Sequence, residues 1–107
     1  MTLAELKTWK PTKVSFDVIE EMVRIVVAVA DPEKVILFGS YARGDATEDS
    51  DVDLLVIMDH DKPRNVDQAI AIQIKIAAPF PLDLLVKRPA EVAKRLNSKI
   101  IKDIIFT

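Results

Sequence analysis

Two short runs share one unusual pattern, Val52-Asp53-Leu54-Leu55-Val56 and Leu82-Asp83-Leu84-Leu85-Val86. Each has the length and apolar content of a β-strand, and each carries a carboxylate in its second position. Asp is depleted in strands, since a charge inside a sheet must be solvated or paired. Asp51 adds a third carboxylate two residues before Asp53. In an extended chain these two side chains share one face, with Cα atoms roughly 6.6 Å apart at about 3.3 Å per residue. Like charges held this way repel, and a divalent cation relieves the repulsion most directly. If the two strands pair, Asp83 completes a three-carboxylate oxygen cluster, which suits Mg²⁺ or Mn²⁺ rather than zinc. Taken singly, each Asp has a plainer reading: Asp51 as the tail of a solvated acidic loop, Asp83 as a charge at a strand edge.

The rest of the chain supplies elements to cover such strands. Thr2 and Glu5 have capping-box spacing for one short helical turn, which Lys10-Pro11 breaks. Ser15 reads as the N-cap of a helix from Phe16 to about Ala30. Phe16, Ile19, Met22, Val23, Val26 and Ala30 fall on one face, and Val27 and Val29 widen it, which predicts burial on more than one side. Asp31-Pro32 ends this helix, and Lys34–Phe38 follows as a strand. Residues 44–50 are polar and acidic and read as a loop, before a strand over 51–58 and a turn over 59–63. Residues 64–78 carry an alternating isoleucine pattern that suits a strand, yet their length favours a helix. Pro79 and Pro81 close it before the strand Leu82–Lys87. Pro89 suits the first turn of a helix running to about Leu96, and 98–107 reads as a C-terminal helix with Ile100, Ile101, Ile104 and Ile105 inward. The pattern predicts a single α/β (α+β) domain over 1–107: an N-terminal extension (1–14), a core (15–97) holding a small mixed β-sheet flanked by helices, and the last helix.

Composition narrows the chemistry. The 107 residues include no Cys and one His, which removes disulfides, thiol catalysis and Cys- or His-rich metal sites. Fifteen Lys plus Arg against seventeen Asp plus Glu give a net charge of −2 and argue against a general nucleic-acid or membrane-surface binder. No apolar run approaches the roughly 20 residues of a membrane span, and the N-terminus lacks a signal-type apolar region. The simplest expectation is a cytoplasmic protein.

Gly39-Ser40 directly follows the first strand. The pair is either an ordinary strand-to-helix turn or, if Ser40 opens a short helix over Tyr41-Ala42-Arg43, a phosphate cradle. Arg43 could meet a phosphate or the loop acids Asp45, Glu48 and Asp49, the ion pair being the usual fate of such a residue. Ser50 either orients the Asp51 loop or caps a turn. Two imitations fail. Gly39 and Gly44 have Walker A spacing, but Asp45-Ala46 replace the required Lys and hydroxyl. Asp49, Asp51 and Asp53 begin like an EF-hand, but Leu54 and His60 stand where Gly and Glu are required. His60 reads as a lone turn histidine, and Trp9 and Tyr41 as packing or partner contacts.

Gly39-Ser40, ten intervening residues, then Asp51-x-Asp53 is similar to the signature of the DNA polymerase β nucleotidyltransferase superfamily. The fuller strings Gly39-Ser-Tyr-Ala-Arg-Gly44 and Ser50-Asp-Val-Asp-Leu-Leu-Val56 resemble the minimal nucleotidyltransferases (MNT), the antitoxin half of HEPN/MNT toxin–antitoxin pairs. The resemblance covers about residues 15–97. It implies the polymerase β-like nucleotidyltransferase fold, Gly39 and Ser40 on the triphosphate, and Asp51, Asp53 and Asp83 as catalytic carboxylates holding two Mg²⁺ ions (Mn²⁺ as a substitute). It also implies Arg43 as the motif arginine and, with Ser50, part of the nucleotide-binding loop. Such chains often continue past the last helix into another short strand, and the expectation here is a departure from that pattern, with the chain stopping at Ile104-Ile105-Phe106-Thr107.

The implied reaction is in-line attack of a hydroxyl on the α-phosphate of ATP, with AMP transfer and loss of pyrophosphate. A minimal catalytic face without a substrate domain points to an acceptor on a separate protein. In the resembled systems it is a tyrosine of a HEPN ribonuclease toxin, which the modification silences. Two alternatives stand beside this reading: a non-catalytic antitoxin that binds and masks the toxin, and a nucleotidyltransferase acting on a small molecule.

Overall fold

The structure, a computed structural model, describes residues 13–92 and 104–106. Helix α1 (Phe16–Ala30) begins where Ser15 Oγ accepts the Val18 N–H at 3.3 Å. It ends at Asp31, in the left-handed region, whose N–H bonds to the Val27 carbonyl. Pro32 then blocks continuation. Strand β1 (Lys34–Phe38) leads straight into a one-turn helix, α2 (Gly39–Arg43). Its N-cap is Phe38, so Ser40 is the second helical residue and not the opening one.

The loop after Gly44 delivers β2 (Val52–Ile57), followed by α3 (Asn65–Ile76), β3 (Leu82–Lys87), a short helix α4 (Pro89–Val92) and β4 (Ile104–Phe106). The ambiguous isoleucine-rich stretch is therefore a helix. Asp67 anchors its start, accepting the Arg64 N–H and pairing with the Arg64 guanidinium at 2.8 Å. The C-terminal helix expected over 98–107 is corrected in part, because residues 104–106 form a strand against β1. Isoleucine and phenylalanine favour extended backbone, and β1 offers them a free edge. The expected Thr2–Glu5 turn, Trp9, the continuation of α4 towards Leu96, and residues 98–103 lie outside the described residues.

The sheet order is β3-β2-β1-β4. Strands β2 and β3 run parallel, joined through α3, while β1 is antiparallel to both β2 and β4. One sheet face packs on α1 and α3. Val35, Leu37, Val52, Leu54, Val56, Leu84 and Val86 meet Ile19, Met22, Val23 and Val26 of α1 and Ala69, Ile72 and Ile76 of α3. The expected wide burial of α1 does not occur: Val27 and Val29 stay 41% and 36% exposed, and Phe16 45%. A helix lying on a single sheet buries one stripe, so the flanks stay wet. On the opposite sheet face, Ile36, Ile57 and Val92 form a small second cluster, with Leu55 packed beside it.

The turn after β2 is tied to α4 by polar contacts. Arg88 donates to the carbonyls of His60 and Lys62 and to Asn65 Oδ1, and the Asn65 amide donates to Glu91. His60 accepts the Lys62 N–H at Nδ1, which leaves Nε2 as the donor to Asn65 Oδ1 at 2.8 Å. This histidine is structural and lies past the far end of β2 from Asp53.

Helix α3 ends with Ala77 at φ 44°, its N–H on the Gln73 carbonyl. A left-handed residue with a Cβ carries a steric cost of roughly 1–2 kcal/mol that glycine avoids. Ala77 is exposed, so Ala77→Gly adds about 1 kcal/mol of stability, read as a higher urea midpoint at unchanged slope.

Candidate active site

The site grows from strand register. Asp53 of β2 pairs with Asp83 of β3, and on its other side with Phe38 of β1. Side chains of directly paired residues share a face. Val52 and Leu54 point into the main core, so Asp53 and Asp83 point to the opposite face, side by side on strands about 4.8 Å apart. Asp51, just before β2, has the same parity as Asp53 and is exposed. Asp53 is partly buried and Asp83 exposed. The parallel pairing thus brings the three predicted acids to one end of one sheet face.

Electrostatics confirm the proximity. Burial pushes the Asp53 carboxyl above its ordinary value, and the charges of Asp83 and then Asp51 push it further, against a smaller opposing pull from Arg43. No hydrogen bond or ion pair engages any of the three carboxylates among the described residues. The donor set is all carboxylate oxygen, which fits a hard divalent cation. The three are not gathered into one closed nest, since no group of three or more His, Asp or Glu able to hold a metal occurs among the described residues. Joint ligation would need the exposed Asp51 and Asp83 side chains to move closer to Asp53.

Gly39 explains how Asp53 fits. Its φ is +73°, and a Cβ built there would land on Asp53 Oδ2 and 3.1 Å from Asp53 Cγ. The missing side chain lets the α2 backbone lie against the carboxylate. Ser40 follows, half-buried, with its carbonyl taking the Gly44 and Asp45 N–H groups. Arg43 ends α2 and pairs with Asp45 at 3.3 Å, the loop-acid contact weighed from the sequence, while still lining the groove beside Gly39. Ser50 closes a turn: its Oγ accepts the Thr47 N–H at 2.8 Å, and its N–H meets the Thr47 carbonyl. It fixes the approach to Asp51, and its hydroxyl is directed at Thr47 and not at the carboxylates. Tyr41 packs against the core and accepts the Val14 N–H, as a packing residue does.

A shallow groove of about 580 Å³ runs from Gly39 and Arg43 over Phe38 and Ile36 to Leu55 and Leu85. No sequence motif marks these leucines, although Leu55 and Leu85 share the parity of Asp53 and Asp83. A strand-by-strand reading of parity could have found them.

A strand-turn-helix bearing Gly-Ser, set against a strand with Asp-x-Asp and a parallel strand with a third Asp, defines the class of palm-type nucleotidyl-transferring domains. Residues 18–106 match the family model described as nucleotidyltransferase domain, and the chain belongs to that family. It is similar to provisionally named protein adenylyltransferases of Methanocaldococcus jannaschii. One is 39% identical over 74 residues, covering 67% of this chain and 71% of that protein. Another is 49% identical over 43 residues, covering 40% of this chain and 43% of that protein, so the match spans less than half of that relative's length. The crystal structure of a provisionally assigned nucleotidyltransferase from Sulfolobus solfataricus superposes with a TM-score of 0.61 at 25% identity, covering 84% of this chain and 77% of that one. No helix among the described residues is long and apolar enough to cross a membrane.

Two outcomes test the site. Because the Asp53 pKa is raised on folding, the folded state holds its proton more tightly, and Asp53 lowers stability as pH climbs from 3.8 through the raised value. Asp53→Asn therefore raises the Tm at pH 7, and the gain fades as pH falls below 3.8; an unchanged Tm at pH 7 would contradict the crowding. Gly39→Ala costs roughly 1–2 kcal/mol from its φ alone and displaces the Asp53 carboxylate, which the Asp53 NMR carboxyl shift would report.

Proposed function

We propose that this chain is a Mg²⁺-dependent nucleotidyltransferase that moves AMP from ATP onto a tyrosine hydroxyl of a partner HEPN ribonuclease toxin, and so neutralises it. The observation that carries the reading is the Asp53–Asp83 rung with the Gly39 backbone against Asp53. Asp51, Asp53 and Asp83 are the residues that would hold the divalent metal, which when bound neutralises phosphate charge and makes the acceptor hydroxyl more acidic. The names of the relatives support protein as the acceptor class. ATP as the donor, the toxin as the partner and a cytoplasmic location come from the resemblance and the sequence.

The residues divide the work. The Gly39-Ser40 turn, set directly beside Asp53 because Gly39 has no Cβ, holds the triphosphate next to the carboxylates. Arg43, at the same end of the groove, exchanges its exposed Asp45 pairing for phosphate oxygens. Asp83, exposed and without a hydrogen bond among the described residues, takes the proton of the attacking hydroxyl. The new bond joins the acceptor oxygen to the α-phosphorus. The bond to the β-phosphate oxygen breaks, and pyrophosphate leaves with its electron pair.

A masking reading is favoured by one feature. Val66, Ile70 and Ile74 stand four residues apart on α3 and are 50%, 48% and 74% exposed, a stripe that a partner surface could cover.

Incubation of the chain with a HEPN partner, α-labelled ATP and Mg²⁺ transfers label to the partner. The Asp51→Ala, Asp53→Ala double variant loses the transfer by about 10²-fold or more and loses neutralisation. Neutralisation without transfer would support masking in its place.

A further inference from the structure

The open sheet face is a grid whose rows follow from register. Asp83, Asp53 and Phe38 form one row, and Leu85, Leu55 and Ile36 form the next. Rows of equal parity lie two residues apart, roughly 6.6 Å along the strands. Ile36 is buried in the small cluster with Ile57 and Val92 of α4, while Leu85 remains 43% exposed. Among the described residues, the carboxylate row is therefore followed by an apolar row that is exposed at Leu85 on the β3 side.

The two sides of the grid differ in chemistry. Gly39 and Arg43 stand on the β1 side, and they are the groups suited to phosphate. The β3 side offers Asp83 and, one row away, the bare Leu85 side chain with Leu55 beside it. A group that reaches Asp83 along the groove rests its stem on these leucines. They offer neither a hydrogen bond nor a charge, so a sugar resting on them would lose hydration without replacement. A flat apolar ring with a hydroxyl at its far end spans one row and gains burial.

We infer that Leu85 and Leu55 position the acceptor by seating the apolar stem that carries its hydroxyl, and so select a phenolic side chain over a short aliphatic alcohol. This rests on the nucleotidyl-transfer reading above and adds the residues that choose the acceptor.

The probes are N-acetyltyrosinamide and N-acetylserinamide, titrated by NMR into methyl-labelled protein holding Mg²⁺ and the unreactive ATP analogue with a methylene bridge between its α and β phosphates. The tyrosine compound shifts the Leu85 and Leu55 methyls, and the serine compound leaves them in place. Leu85→Ser, at an exposed position, weakens tyrosinamide binding at least fivefold and changes analogue affinity less than twofold, and Leu85→Met restores it. Analogue binding without tyrosinamide shifts at these leucines would overturn the inference and leave nucleotidyl transfer standing. Equal loss of analogue affinity in Leu85→Ser would make the row a nucleotide bed instead. If the analogue does not bind at all, both readings fall.

Discussion

Everything chemical in this molecule depends on how β2 and β3 pair. The register sets Asp53 beside Asp83, and parity sends both to the face that α1 and α3 leave bare. A slip of one residue would turn Val52 or Leu54 outward and drive a carboxylate into the apolar core, at a cost no local contact could offset. Burial of Val52, Leu54, Val56, Leu84 and Val86 thus fixes the positions of charges that repel each other. The hydrophobic effect holds the acids together, and the Asp53 pKa is raised first by burial and then by the neighbouring charges of Asp83 and Asp51.

Local signals were readable from the residues. Ser15 starts α1, Asp31-Pro32 stops it, and the length of 65–76 decides for helix against an alternating isoleucine pattern. The acids and Gly39-Ser40 were legible because they violate local preference: charges in strands, and a glycine among only two in the chain. Non-local choices were not legible. Strand order depends on which edges meet, and nothing in Ile104-Ile105-Phe106 alone distinguishes the last turn of a helix from a partner for β1. The exposure of Val27 and Val29 depends on how many layers the fold has, which a helical wheel does not encode. The pairing of Arg43 with Asp45 and the turn bonds of Ser50 depend on loop geometry that spacing leaves undetermined.

The sheet divides labour by face. Among the described residues, one side is a dense core against two helices, and on the other α4 covers the end occupied by Ile36 and Ile57. This leaves the carboxylates next to an apolar strip and the glycine turn. Among the described residues the three acids, the glycine turn and the apolar strip therefore share one sheet face.

The carboxylates Asp53 and Asp83 are brought together only after the intervening chain, α3 included, has folded back across the sheet. On the ribosome, a chain that has emerged through α3 already displays Asp51, Asp53 and the glycine turn, but lacks the strand that completes the set. The Asp53–Asp83 rung therefore forms late in synthesis, when β3 docks, and a product truncated before β3 would lack it.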